Sequence, residues 1–131
     1  MRRPDSIEAI AQALRPALRY GASPYRLRNC NELLALQCVQ LRARDTNDTD
    51  ALAYAAEGVL LDALTALGDG PYGRAAAHLF GVSPDARGRL LKDRRRLAAY
   101  ELDLLPTTFR KQYEEPLLHD IAAEVARPLA A

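Results

Sequence analysis

Between the polar run Asp45–Asp50 and Gly68, apolar residues recur at steps of three and four: Leu52, Ala55, Ala56, Val59, Leu60, Ala63, Leu64 and Leu67. That period lines one face of an α-helix and does not suit a strand, whose side chains alternate with period two. The spacing predicts an uninterrupted helix over 51–67, the longest in the chain, with Leu60 and Leu64 buried. The acidic run supplies a cap and favourable negative charge at its start, and Gly68 ends it. Alanine and leucine dominate the rest of the chain as well, and no stretch of four residues alternates as Val, Ile, Thr and Tyr strands do. The expected fold class is all-α, a multi-helix bundle with no sheet.

At 131 residues the chain suits one domain, 1–131, with N-terminal helices over 6–69 and a second half over 70–127. Hydrophobic residues make up 49% and mean hydropathy is −0.23, too apolar for disorder and too mixed for a membrane span. Cys30 and Cys38, eight positions apart in a helix-prone stretch, would stand about 12 Å apart along a helix, too far to bridge. With no charged segment leading into an apolar one at the start, a reduced, cytoplasmic protein that engages no membrane is expected.

The remaining helices read as follows. The first runs from about Ser6 to Arg19, with Pro16 marking a kink or early end. After a break at Gly21–Pro24, residues 25–44 fit one helix or two short ones hinged near Asn29–Asn31. In the second half, Pro71 opens a helix that Gly81 stops, and Ser83, Pro84 and Asp85 cap a single turn ending at Gly88. Leu90–Leu102 is a helix, Asp103–Leu105 a turn, Pro106 to about Glu114 a further helix, and Pro116 starts the last.

The net charge of +1 conceals blocks: +5 over 1–44, −6 over 45–70, +5 over 71–111 and −3 over 112–131. A nearly neutral protein can thus carry a basic face. Within the third block, LAAYELDLLPTTFRK (Leu97–Lys111) has the spacing of a helix-turn-helix. Ala99 is small where two helices must approach, and Ala98, Leu102, Leu104 and Phe109 are in register for a shared core.

This stretch resembles the helix-turn-helix superfamily of bacterial DNA-binding proteins, in particular Arg-rich modules common in actinobacterial proteins. The resemblance covers about 25 residues and, more loosely, everything from Gly70 onward. It departs from the superfamily pattern at Asp103, where glycine is usual, and at Leu105, where a serine cap is usual. Gln112 stands where an apolar residue is expected, with Tyr113 beside it as a substitute. AAAHLFGVSPDAR (Ala75–Arg87) repeats the spacing as a degenerate second copy. The resemblance implies a DNA-binding or DNA-associated regulatory protein, its second motif helix lying in the major groove of double-stranded DNA. Thr107, Thr108, Arg110 and Lys111 would face the groove, and Arg94, Arg95 and Arg96 would contact phosphates. Arg94–Arg96 can also be read as a solvated helix face paired with Asp93 or Glu101. The alternative function is a non-enzymatic interaction or adaptor module, with a homodimer or another protein as partner.

Catalysis finds little support. His78 and His119 lack metal-ligand spacing and read as exposed surface residues. Cys30 and Cys38 read as buried structural thiols. Glu114 and Glu115 read as a turn with helix-start charge before Pro116. Gly68 and Gly70 lack the strand and third glycine of a phosphate cradle. No metal or other cofactor is expected.

Overall fold

The computed structural model describes residues 5–130, with side chains through Arg127. Among these residues every regular element is helical. In chain order they are α1 (Ile7–Tyr20), α2 (Pro24–Leu27), α3 (Asn31–Leu34), α4 (Gln37–Arg42), α5 (Thr49–Ala66), α6 (Pro71–Leu79), α7 (Leu91–Glu101) and α8 (Pro106–Thr108). A π-helical segment (Phe109–Tyr113) follows, and then α9 (Glu114–Ala130).

Helix α5 begins where its acidic leader allows. Asp48 is the N-cap, and its carboxylate accepts the Asp50 N–H at 2.9 Å. Leu60 and Leu64 are buried along with Leu52, Ala55, Ala56 and Ala63. Their stripe packs against α2, α4 and α9, while α1 also packs on α9 and α6 on α7. Buried side chains from both halves of the chain form one cluster. No described helix is long and apolar enough to cross a membrane.

Three local expectations are corrected. Helix α1 covers Ile7–Tyr20, matching the expected span from about Ser6 to Arg19, but Pro16 does not end it early. Pro16 and Gln12 lie on its exposed face, so the carbonyl that loses its intrahelical partner can be solvated. The 25–44 stretch is broken into α2, α3 and α4. Leu36 is extended, and α4 is capped from afar by Asp5, whose carboxylate accepts the Gln37 N–H at 2.7 Å. Finally, Pro116 does not start a helix. Residues 106–130 form one helical run containing the π segment, in which the Glu114 N–H reaches the Phe109 carbonyl. Pro116 has no N–H for the Gln112 carbonyl and its ring crowds that oxygen, and a wide turn just before it relieves both constraints. At 18 residues α5 is the longest purely α-helical element described, although the 106–130 run exceeds it.

Two charge blocks neutralise each other across α5. Arg28 meets Asp50 at 3.1 Å, and Arg42 meets Asp62 at 2.7 Å. Arg42 lies directly over Gly58, where a Cβ would come within 2.6 Å of the guanidinium.

Candidate nucleic-acid interface

Helix α7 ends in a Schellman turn. The Leu104 N–H donates to the Ala99 carbonyl at 2.9 Å, and the Asp103 N–H to the Tyr100 carbonyl at 3.1 Å. This closure needs a left-handed residue, and Asp103 takes that role with φ 56°. Asp is among the few non-glycine residues that visit this region readily. Ala98, Ala99 and Phe109 are buried, and Leu102 and Leu104 are half-buried against the same core. Leu105 provides no side-chain cap for α8, as its chemistry requires. Gln112 and Tyr113 are both exposed, and buried apolar packing resumes at Leu117 and Leu118.

AAAHLFGVSPDAR begins with the same device. Helix α6 also closes in a Schellman turn, with the Val82 N–H on the Ala77 carbonyl and the Gly81 N–H on the His78 carbonyl, both at 3.0 Å. Gly81 has φ 73° and lies against Arg94, whose Cδ would stand 3.2 Å from an added Cβ. The Ser83 hydroxyl then accepts the Ala86 N–H at 3.2 Å. A single turn follows where the other copy has α8.

The seven basic and hydroxyl residues picked out by sequence fall into distinct environments. Thr107, Arg110 and Lys111 are exposed and Thr108 is half-buried. No ion pair engages Arg110 or Lys111 among the described residues. Arg96 is exposed and stands 3.7 Å from the Asp93 carboxylate.

Arg94 and Arg95 are occupied internally. Arg94 is only 2% exposed and cannot present its guanidinium to a phosphate. Its Nε, Nη1 and Nη2 donate to the carbonyls of Arg89, Leu79 and Arg19 at 3.0, 2.6 and 3.0 Å. Two of these carbonyls belong to the last turns of α6 and α1, so the cation sits at two helix C-termini. Burial lowers its proton affinity first, and the neighbouring charges of Arg26 and Arg95 lower it further. Arg95 grips Glu114 with two parallel bonds, 2.7 and 3.0 Å, clamping α7 to the start of α9.

The histidine and glutamate expectations also change. His78 is 7% exposed, because α6 turns it toward α7. Its Nε2 lies 3.1 Å from a Glu101 carboxylate oxygen, and its Nδ1 lies 2.7 Å from the Ser83 hydroxyl. A carboxylate only accepts, so Nε2 donates to Glu101 and, in the neutral ring, Nδ1 accepts from Ser83. Hydrogen bonds from His78 and then Arg74 hold the Glu101 carboxyl below its ordinary pKa. His119 is half-buried beside Glu115 at 3.5 Å. Glu114 and Glu115 are not in a turn. Glu114 takes Arg95, and Glu115 pairs with Arg15 of α1, which holds the Glu115 carboxyl below its ordinary pKa. Of the thiols, Cys30 is buried, whereas Cys38 is half-buried. Burial raises the pKa of both.

Sequence reasoning missed the internal role of Arg94, although a signal existed: Leu91, Arg94 and Ala98 share one inward helical stripe. The described architecture is an all-helical bundle carrying a helix, a Schellman turn and a second helical segment anchored by Phe109. No protein family, curated protein or solved structure matches the chain.

Proposed function

We propose that the chain is a DNA-binding or DNA-associated regulatory protein that docks residues 106–113 in a major groove as a helix-turn-helix does. The observation that carries this reading is the pair Arg110 and Lys111, exposed beside Thr107 on a segment pinned by Phe109 and free of carboxylate partners among the described residues. Cations held that way are available to base edges and phosphates. Arg96 and Thr108 complete the contact set, and Arg94 and Arg95 drop out of it. The role is one of binding rather than catalysis, in a reduced cytoplasmic setting.

Fluorescence anisotropy with duplex DNA across a salt series tests the proposal. Binding weakens steeply as salt rises, because neutralised phosphates release counterions. Arg110→Ala costs about 1–3 kcal/mol at a preferred site and relaxes preference at one base pair. Affinity that ignores both salt and this substitution would reject the reading.

A second reading, protein docking, is favoured by Tyr100 and Leu105, which flank the turn at 83% and 70% exposure. It expects a partner whose binding is lost in Leu105→Ser and is insensitive to salt.

A further inference from the structure

Arginines also gather at the other end of α7, where the α1–α2 corner meets the loop between α6 and α7. The two are tied together: the Ala22 N–H donates to the Phe80 carbonyl at 3.0 Å, and Arg94 reaches the Arg19 carbonyl. Between them is a hollow of about 60 Å³ lined by Tyr20, Ser23, Arg26, Arg87, Arg89 and Arg94. An adjoining depression shares Tyr20 and Arg26 and adds Tyr25 and Arg28. Among the described residues no carboxylate lines either one.

The charges here are only partly answered. Arg94 is balanced by two helix C-termini, Arg26 gives one N–H to the Tyr20 carbonyl, and Arg89 gives one to the Asp85 carbonyl. Arg28 pairs with Asp50. Arg26, Arg87 and Arg89 have no carboxylate partner among the described residues, and Ser23, the N-cap of α2, makes no side-chain cap bond. Exposed Tyr20 and Tyr25 lie under the guanidinium groups of Arg19 and Arg28, at 5.5 and 5.7 Å from the ring centres. Clustered guanidinium groups with adjacent hydroxyls are a donor set for phosphate oxygens. A hollow of this size admits ordered water or phosphate oxygens.

We infer that this corner binds a backbone phosphate of the same duplex that residues 106–113 engage. Helix α7, whose 11 residues rise roughly 16 Å, runs from the end nearer the corner to the end that carries the motif turn. That span is comparable to a major groove about 12 Å wide with a phosphate strand along its edge. The inference rests on the nucleic-acid reading above and extends its footprint to the N-terminal half.

The test uses the full chain and a short random-sequence duplex, read by anisotropy over a salt series. Arg87→Glu is expected to weaken binding at least tenfold at low salt. Arg87→Ala is expected to flatten the slope of log K against log salt by about one unit. If Arg87→Glu binds like wild type while the Arg110→Ala, Lys111→Ala double variant is weakened, the corner site is overturned and the motif reading survives. If the double variant binds like wild type while Arg87→Glu fails, the corner still binds the duplex, but the motif reading falls and with it the footprint shared with residues 106–113. Wild-type protein that does not bind the duplex at low salt overturns both. Should Arg87→Glu misfold, backbone amide shifts in wild-type protein replace it. Movement of the Ala22 and Gly88 signals on adding the duplex supports the site. Their movement with inorganic phosphate but not with duplex overturns it.

Discussion

The guanidinium of Arg94 is carried into a region with almost no solvent, and three carbonyls accept its hydrogen bonds there. Each hydrogen bond to a charged group is worth about 1.5–3 kcal/mol, which offsets the cost of burying the cation and ties the ends of α1 and α6 to α7. Arg94→Leu is expected to lower stability by about 3 kcal/mol or more in denaturant unfolding, because it leaves helix-terminal carbonyls buried without donors. A midpoint equal to wild type would show that the carbonyls find other donors. Arg96, two positions on, has no such environment, and Arg95 answers Glu114 instead. Three consecutive arginines thus have three different physical roles, set by the 100° rotation per residue of the helix that carries them.

At the scale of elements, the turn after α7 depends on one backbone conformation. Asp103 has φ 56°, and a non-glycine residue held there costs on the order of 1–2 kcal/mol unless its side chain eases the conformation. Asp103→Gly is therefore expected to raise stability by up to about 1 kcal/mol, and Asp103→Val to lower it by at least that much, as read from thermal melts. Equal melting temperatures for both variants would mean the turn relaxes away from the Schellman geometry. The α6 turn, with Gly81 at the matching place, already has the relaxed form. The join between α8 and α9 follows the same logic of local constraint. Pro116 reads as a helix start because proline favours a first turn, yet Phe109 and Leu117 are both buried, and keeping them so draws the chain into one continuous helix with a π segment.

Across the whole molecule, carboxylates tie distant elements together. Glu115 pairs with Arg15, joining α9 to α1, and Glu101 meets His78 and Arg74, joining α7 to α6. Both carboxyls have native pKa values below the ordinary 4.5, Glu101 through His78 and then Arg74, Glu115 through Arg15. A lowered native pKa means the unfolded chain binds the proton more readily. The stabilisation is therefore fully present above about pH 4.5 and is lost as pH falls through the lowered native values. Chemical denaturation midpoints should fall on acidification below that point, and the Glu101→Gln, Glu115→Gln double variant should show a shallower acid limb. An unchanged limb would place the acid sensitivity elsewhere.

The three-and-four spacing of α5, the cap that the Asp45–Asp50 run supplies and the closures at Gly81 and Asp103 are legible in the amino-acid sequence, because each depends on residues within one or two turns of one another. The anchoring of Phe109 belongs with them, since its register follows from the turn. What only the tertiary structure decided depends on residues far apart in the chain. Asp5 caps α4 across 32 positions, Arg94 reaches Arg19 across 75, and Arg15 meets Glu115 across 100. The arginine corner belongs to this second group: Arg26 and Arg87 are remote in sequence, and only the seating of α1 beside α7 brings them to one hollow. Local spacing encodes helices and turns through short-range sterics and hydrogen bonds. The company a charge keeps is set by which helix ends the packed core brings together.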